Sequence, residues 1–233
     1  MLKQLKKDLL DSANPEQAKI VQKFFKTGKG EYGEGDIFLG IKVPIQRKIA
    51  KKYLGLGLHK IKELIESKIH EHRFTGLIIL NEKYKKSNEE ERGNIFNFYL
   101  KNIRNVNNWD LVDISSPNII GNFLSNKKKN ILYELADSEN MWERRIAIVS
   151  TFAFIKNNEF GDVLMISEKL LKDEQDLIHK AVGWMLREIG KRNKKILEDF
   201  LREHYKNMPR TMLRYSIEKF SKDKRKKYLK GEI

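Results

Sequence analysis

The residues best suited to chemistry stand in one short segment, residues 107–113, which reads Asn-Asn-Trp-Asp-Leu-Val-Asp. Trp109 and Asp113 are four residues apart, so on a helix they share one face, and Asp110 lies near it. An aromatic face beside a charged group can pack against a sugar or a base. Asp113 has an equally good structural interpretation, in which it caps a neighbouring helix or pairs with Arg145.

A second candidate group is spaced at i, i+4 and i+7 along one helical stripe and consists of Lys180, Trp184 and Arg187. Trp142 is also followed by charged residues, so all three tryptophans of the chain have charged neighbours. For Trp142 the sequence favours a place in the hydrophobic core. For Trp109 and Trp184, a groove in which arginines hold phosphates is at least as well supported as a core position.

The residue types that are missing exclude several kinds of site. The chain has no cysteine, which excludes disulfides, thiolate metal sites and a cysteine nucleophile. His70 and His72 are two residues apart and face different sides of a helix, so they do not form a metal pair. The other three histidines stand alone. We therefore predict a site without a metal or another cofactor.

The charge of the chain indicates a polyanionic partner. It carries 47 Lys and Arg against 32 Asp and Glu, a formal charge of +15, which points most simply to nucleic acid. A membrane surface is the competing partner, but the basic residues are spread along the chain rather than gathered in one amphipathic anchor. The longest nearly apolar run, residues 146–155, is half of what a membrane span requires, and the N-terminus has no signal peptide. We expect a soluble cytoplasmic protein.

Helical periodicity runs along nearly the whole chain. Apolar residues recur at intervals of three and four, and no segment alternates for long as a half-buried strand would. Asn14 and Ser116 each precede a proline and are suitable N-caps, because proline is well tolerated in the first turn of a helix. Helices are expected to begin at Pro15, Pro44, Pro117 and Pro209. The sequence therefore predicts an all-α fold.

A local pattern recurs along the predicted helices at an interval of about 35 residues. Basic residues in similar contexts are Arg73, Arg145, Lys180 and Arg214, separated by 72, 35 and 34 positions, with Trp109 at the midpoint of the first gap. A period of this length that spans a helix pair is typical of an α-solenoid. We predict a right-handed solenoid of antiparallel HEAT-like helix pairs, one domain over residues 1–233, with these basic residues facing a shared groove. Ordinary amphipathic helices with exposed arginines are the alternative.

The one irregular segment, residues 27–36, contains four glycines. No strand precedes it, no Gly-Lys-Ser/Thr ending is present and it carries three acidic residues, so a phosphate-binding loop is disfavoured. A flexible connection between helices is the preferred interpretation. Lys29 remains a candidate for contact with a nucleic-acid backbone.

Five segments together resemble the AlkD family of DNA glycosylases. They are residues 38–44 with Arg47, then 107–113, 142–147, 177–187 and 208–211, so the likeness covers nearly the whole chain. Each segment is only moderately specific alone, but their order and spacing make chance a poor explanation. The resemblance implies a superhelix of HEAT-like helix pairs whose basic concave face wraps duplex DNA. It also implies hydrolysis of the N-glycosidic bond of cationic lesions such as 3-methyladenine and 7-methylguanine.

The resemblance also assigns roles to particular residues. Trp109 and Asp113 match a tryptophan and an aspartate that face the sugar of the damaged nucleotide, and Trp184 matches a second groove tryptophan. Arg145 and Arg187 match arginines that hold the DNA backbone. The family is thought to act without drawing the base into a pocket, unlike most glycosylases.

One further contact of the family, an aromatic residue near the N-terminus, has no single counterpart in this sequence. Phe25 or Tyr32 could supply it. We expect Lys29 and Arg47 to contribute to DNA binding in the same part of the chain.

The implied chemistry fits these residues. An N-alkylated purine is already cationic and leaves as a neutral base, so it needs no general acid, unlike the leaving group of ordinary glycoside hydrolysis. Asp113 alone could stabilise the oxocarbenium-like sugar and orient a water molecule. Trp109 and Trp184 would form a dry wall around the sugar and favour the cationic lesion through cation–π attraction.

Two other functions are consistent with the sequence. A non-catalytic solenoid could bind DNA or RNA by charge alone, but it would not need Asp113. A protein-interaction scaffold is disfavoured by the basic excess and by the charged tryptophan neighbourhoods. We expect a monomer whose partner is duplex DNA with alkylated bases.

Overall fold

The computed structural model describes all 233 residues, Met1–Ile233, and consists of helices joined by turns. The only strand-like pairing is a single bridge between Ile37 and Ile69. Consecutive helices joined by short turns pack against each other, as the helix pairs of an α-solenoid do. The predicted all-α fold of helix pairs is confirmed. None of the helices is long and apolar enough to cross a membrane.

The contacts divide the chain into two compact units, Met1–Ser115 and Ser116–Ile233. That residues 1–233 form one domain therefore stays a prediction. The helices of the first unit are α1 (Leu2–Leu10), α2 (Pro15–Phe24), α3 (Val43–Lys52), α4 (Leu58–Ile65), α5 (His70–Lys86), α6 (Glu89–Lys101) and α7 (Trp109–Ser116), with a 3₁₀ turn at Ile103–Asn105.

Helix α5 is the centre of the first unit. Every residue from 70 to 81 is buried, and the helix packs against α3, α4 and α6. Such a helix has no polar face, so its charged residues must find partners inside the unit. This explains why the hydrophobic pattern of α5 is weak while its burial is almost complete.

Asparagine side chains begin two helices of the first unit. The Asn14 side chain accepts from the Gln17 N–H, which confirms the predicted N-cap of α2. Asn88 and Glu91 form a reciprocal capping box at the start of α6. The local sequence alone therefore fixes where these helices begin.

Glu71, on α5, fixes the segment that leads into α3. Its buried carboxylate accepts hydrogen bonds from the N–H groups of Leu39, Gly40 and Ile41, at 2.9, 2.8 and 3.2 Å. Gly40 has φ +77°, and a Cβ there would lie 2.2 Å from the carbonyl oxygen of Asn14. The glycine in segment 38–44 is therefore required by both backbone conformation and close packing.

The second unit begins with a π-helical turn at Pro117–Gly121. Its helices are α8 (Asn122–Leu124), α9 (Asn130–Ala136), α10 (Met141–Ser150), α11 (Phe152–Lys156), α12 (Gly161–Lys169), α13 (Asp176–Arg192), α14 (Lys194–His204), α15 (Arg210–Ser216) and α16 (Lys222–Lys230). Helix α13 is central and packs against α10, α12, α14 and α15. Gly183 allows the close approach of α15, because a Cβ there would lie 2.5 Å from the Cβ of Tyr215.

The prediction that a helix begins at Pro117 is wrong. Ser116 has helical dihedral angles and makes no capping bond, and the helical backbone continues from Ser116 into the π-helical turn. A wider turn accommodates the missing N–H of a proline inside a helical run. Pro15 and Pro44 lie in the first turns of α2 and α3, and Pro209 directly precedes α15, as predicted.

Candidate catalytic residues and nucleic-acid interface

Helix α7 carries Trp109 and Asp113 one turn apart. The half-buried Trp109 ring stacks on Phe25, with 5.0 Å between ring centroids and 6° between ring planes. Phe25 stacks in turn on Phe38 at 5.0 Å. The edge of Phe24 meets Trp109 at 5.9 Å and 78°. Trp109 and these three phenylalanine rings are called here the aromatic platform, in which Phe25 packs on the face of Trp109 and Phe24 meets it edge-on.

Phe24 is a platform residue that the sequence did not identify. Of the two predicted N-terminal aromatic residues, Phe25 contacts Trp109 but is buried, while the Tyr32 hydroxyl group lies 3.5 Å from the Phe24 carbonyl oxygen. Phe24 is 65% exposed, so its ring beside Trp109 remains open to a ligand. The sequence feature that could have identified Phe24 is the Phe-Phe pair at the end of α2. Consecutive residues there face different sides, so one ring can be buried while the other stays exposed.

A buried group of charged side chains lies against the start of α7. His70 Nε2 is 2.8 Å from Asp110 Oδ2, and His70 Nδ1 is 3.3 Å from Asp36 Oδ2. Arg73 Nη2 is 2.6 Å from the same Asp36 oxygen, and Asn108 Nδ2 donates to it at 3.4 Å. Asp36, His70, Arg73 and Asp110 are called here the buried ion network.

The network favours the charged forms of His70 and Asp36. Burial lowers the pKa of His70, but the charge of Asp110 and hydrogen bonds to Asp110 and Asp36 outweigh it, so this pKa lies above 6.5. Burial raises the pKa of Asp36, but the bond to His70 and the charge of Arg73 reverse this, so it lies below 3.8. By contrast, burial and nearby positive charges lower the pKa of His72 to about 4.

Asp110 and Asp113 have different surroundings although both belong to α7. One Asp110 oxygen bonds His70 and the other accepts a hydrogen bond from the N–H of Leu111. Both oxygens of Asp110 therefore have partners within the protein. Asp113 is half-buried one turn beyond Trp109. Burial raises the pKa of Tyr99, and the negative charge of Asp113 raises it further. Asp110 therefore serves the buried ion network, and the catalytic role of Asp113 stays a prediction.

In the second unit, Trp184 is half-buried and its ring lies 5.7 Å from that of Phe152. Arg187, on the same helix α13, forms an ion pair with Glu218. Lys180 pairs with Asp176 one turn earlier, at 2.7 Å, and 40% of its side chain is exposed. The charged stripe of α13 predicted from the sequence is therefore present, although each of its cations already has an acidic partner.

Trp142 is buried, which confirms its predicted core position. Arg145, on the same helix α10, is also buried, and its Nη1 donates to the Leu177 carbonyl oxygen at 2.6 Å. Part of its guanidinium group is thus bound to backbone. The prediction that Arg145 holds DNA phosphates stays a prediction.

The basic residues at the repeated phase do not share one environment. Arg73 is 4% exposed, pairs with Asp36 and donates to the Ser67 carbonyl oxygen at 2.8 Å. The prediction that Arg73 faces an open groove is therefore wrong, because a side chain in this position cannot reach a phosphate. Arg214 is exposed on α15. Arg47 and Lys29, predicted from other patterns, are also exposed.

The glycine-rich segment 27–36 satisfies its own amide groups. The N–H of Gly28 bonds Glu31 Oε2, and the N–H of Gly30 bonds Glu34 Oε2, both at 2.8 Å. Carboxylates thus occupy the positions that a phosphate would take. This supports the interpretation of the segment as a connection between helices. No group of three or more histidine and acidic side chains is placed so that it could hold a metal ion.

Comparison with known proteins identifies the family. The profile of the family described as DNA alkylation repair enzyme matches residues 5–220. A structure described as a predicted DNA alkylation repair enzyme from Enterococcus faecalis superposes with a TM-score of 0.69 at 19% identity, over 91% of this chain and 98% of that one. AlkD2 from Streptococcus mutans superposes with a TM-score of 0.54 at 16% identity, over 89% and 98%.

Among curated proteins, none matches this chain in sequence. The two structural likenesses show a shared helical fold, and the family profile covers nearly the whole chain. The chain therefore belongs to the family of DNA alkylation repair enzymes, whose task is DNA repair and whose partner is DNA.

Proposed function

We propose that the chain is a monofunctional DNA glycosylase that acts as a monomer on duplex DNA and releases cationic alkylated purines, such as 3-methyladenine and 7-methylguanine. The observation that supports this best is the aromatic platform with Asp113 one turn from Trp109 on α7. Family membership supports DNA as the partner. The formal charge of +15 supports binding to the phosphate backbone.

The proposed reaction breaks one bond and forms one. The C1′–N bond of the lesion breaks, and its electron pair stays with the base, which leaves as a neutral purine. The sugar becomes an oxocarbenium-like cation, which the Asp113 carboxylate stabilises at short range. A water molecule then bonds to C1′ through its oxygen and releases one proton to the solvent, so that an abasic site remains.

The aromatic residues serve this step by shaping the surroundings of the sugar. Trp109 and Phe24 offer an exposed ring surface beside Asp113 that excludes water and attracts the cationic lesion. Trp184 is proposed as the second aromatic wall, on its match to the AlkD family. A protected site of low polarity strengthens the attraction between Asp113 and the developing cation.

The DNA backbone is proposed to contact basic side chains of both units. Lys29 and Arg47 in the first unit are exposed, and so is Arg214 in the second. Lys180 and Arg187 would exchange their present acidic partners for phosphates. Arg145 is buried too but is included on its match to the AlkD family, whereas Arg73 is left out because its guanidinium pairs with Asp36 inside the first unit.

The test is base release from duplex DNA that contains 7-methylguanine. We expect the wild-type protein to release the base and Asp113→Asn to lose release at least about 100-fold, because asparagine carries no charge to stabilise the cation. Affinity for the duplex should stay the same or rise slightly, since a negative charge is removed. Asp11→Asn, an exposed carboxylate on another element, is the matched control and should release the base normally.

Each outcome of this test has a definite meaning. Release by wild type and by Asp11→Asn alone supports the glycosylase. Binding of the duplex without release of 7-methylguanine or 3-methyladenine by any variant would favour a DNA-binding protein without this activity.

A further inference from the structure

The buried ion network touches the aromatic platform by two routes. Through the chain, Asp110 directly follows Trp109 in the first turn of α7, and it bonds His70 at 2.8 Å. Through space, the His70 ring stacks on Phe38 at 4.5 Å and lies 5.1 Å from Phe25, the ring on which Trp109 stacks. His70 is therefore connected to Trp109 both along the backbone and through stacked rings.

The carboxylates that surround His70 favour its cationic form. Asp36, from the segment before α3, and Asp110, from α7, face the two ring nitrogens, and Arg73 is the only other cation of the network. With neutral His70, one carboxylate would be buried without a full countercharge, which is costly in a site this closed. The Arg73 guanidinium also faces the ring, with Nη2 3.4 Å from His70 Nδ1, but its like charge opposes the cation less than the two carboxylates favour it. The remaining contacts of the ring, with Phe25, Phe38 and Phe74, are uncharged.

We propose that His70 is a positioning residue of the glycosylase site, which as an imidazolium ion ties Asp110 to Asp36 and thereby fixes Trp109 and Asp113 on α7. Asp110 and Asp36 position α7 together with His70. In this proposal His70 itself touches neither the DNA nor the reacting atoms. The effect on base release rests on the proposed function, but the coupling between His70 and Trp109 does not.

The direction of the pH dependence follows from the network. The folded state raises the pKa of His70 above 6.5, so the stabilisation that the imidazolium provides is fully present below that value. It is lost as the pH rises through the folded-state pKa. Above this pH the first turn of α7 should loosen, and base release should decline.

The coupling is tested by NMR on the wild-type protein, in the absence of DNA. The ring nitrogens of His70 should still report an imidazolium above pH 6.5, and the indole N–H signal of Trp109 should shift with the same midpoint. His72 is an internal control: it is buried on the same helix, has a pKa of about 4, and should titrate without moving Trp109. A Trp109 signal that stays constant while His70 loses its proton would refute the proposal.

Two variants test the effect on the reaction. Asp110→Asn should lower the pKa of His70, and His70→Gln should abolish the alkaline decline in base release. Both should slow release by about tenfold or more at neutral pH, because small displacements of positioned groups are costly in rate. His72→Gln is the matched control and should keep the wild-type rate and pH profile per folded protein.

These measurements separate the failure of this proposal from the failure of the proposed function. If no variant and no wild type releases base, the coupled titration of His70 and Trp109 still supports or refutes the positioning role. If His70→Gln does not fold, the wild-type NMR titration and Asp110→Asn decide it. A His70→Gln protein that folds and retains both the rate and the pH profile of the wild type would overturn it.

Discussion

Two arginines at the same phase of the sequence repeat have opposite environments, and this difference can be measured. Arg73 is buried against Asp36, while Arg214 is exposed on α15. We expect Arg73→Met to lower the free energy of unfolding by about 3–5 kcal/mol, because it leaves the Asp36 carboxylate buried with too little countercharge. Arg214→Met should change it by no more than about 0.5 kcal/mol. Urea unfolding of both variants is the measurement.

The same pair of variants has a pH signature. Burial raises the pKa of Asp36, but His70 and Arg73 outweigh it, so the ionised form stabilises the fold above pH 3.8 and this contribution is lost as the pH falls through the lower folded-state value. Unfolding of Arg73→Met should therefore be less sensitive to pH in the acid range than that of wild type. Equal loss of stability in Arg73→Met and Arg214→Met would contradict the assigned roles.

The individual residues differ in how far their roles could be predicted. Local helical spacing is enough to predict that Trp142 is buried. It is also enough to predict that Trp109 and Asp113 share one helix. The spacing of His70 and His72 excludes a metal pair but gives no sign of the partners of His70, because Asp36 and Asp110 are 34 and 40 residues away. Contacts at that separation depend on packing, which periodicity does not describe.

At the scale of the elements, one glycine sets how closely two helices of the second unit can approach. A Cβ on Gly183 of α13 would lie 2.5 Å from Tyr215 Cβ and 2.6 Å from the Met212 carbonyl oxygen, both on α15. Neither atom can move without shifting the helix. We expect Gly183→Ala to lower the free energy of unfolding by about 1–3 kcal/mol, the usual cost of overpacking.

Gly161 provides the matched control for this substitution. It is the first residue of α12, and a Cβ there meets nothing within 4 Å. Gly161→Ala should therefore be neutral or raise stability by up to about 1 kcal/mol, because alanine favours the helix and restricts the unfolded chain. The two alanine variants would be compared by thermal unfolding. A neutral Gly183→Ala would mean that α13 and α15 are less tightly packed than these distances indicate.

The elements were predicted well where a single local cause fixes them and poorly where two causes compete. Asn14 begins α2 by capping, and the prediction was correct. At Pro117 the preference of proline for the first turn predicted a helix start. Burial of the flanking residues instead keeps the backbone helical, and a π-helical turn accommodates the missing N–H of the proline. The predicted exposure of Arg73 is wrong for a similar reason, since it pairs with Asp36 in the interior, whereas Arg214 is exposed.

At the scale of the whole molecule, the net charge of +15 governs how it meets DNA, whichever residues carry out the reaction. Binding to a phosphate backbone releases counterions, so the logarithm of affinity should fall linearly with the logarithm of salt concentration. Undamaged duplex and duplex with 7-methylguanine should give parallel lines, because the lesion adds an aromatic and electrostatic contact at one site and leaves the backbone contacts unchanged. Fluorescence anisotropy across a salt series would measure both lines.

The number of phosphate contacts can be counted from the slopes of these lines. Arg214→Gln removes an exposed cation without touching the core, so it should reduce the slope by about one unit on both duplexes. Arg73→Met should leave the slope unchanged in whatever fraction stays folded, because a buried guanidinium paired with Asp36 releases no counterion. A reduced slope in folded Arg73→Met would show that this arginine leaves Asp36 when DNA binds, and the open and bound forms of the first unit would then have to differ.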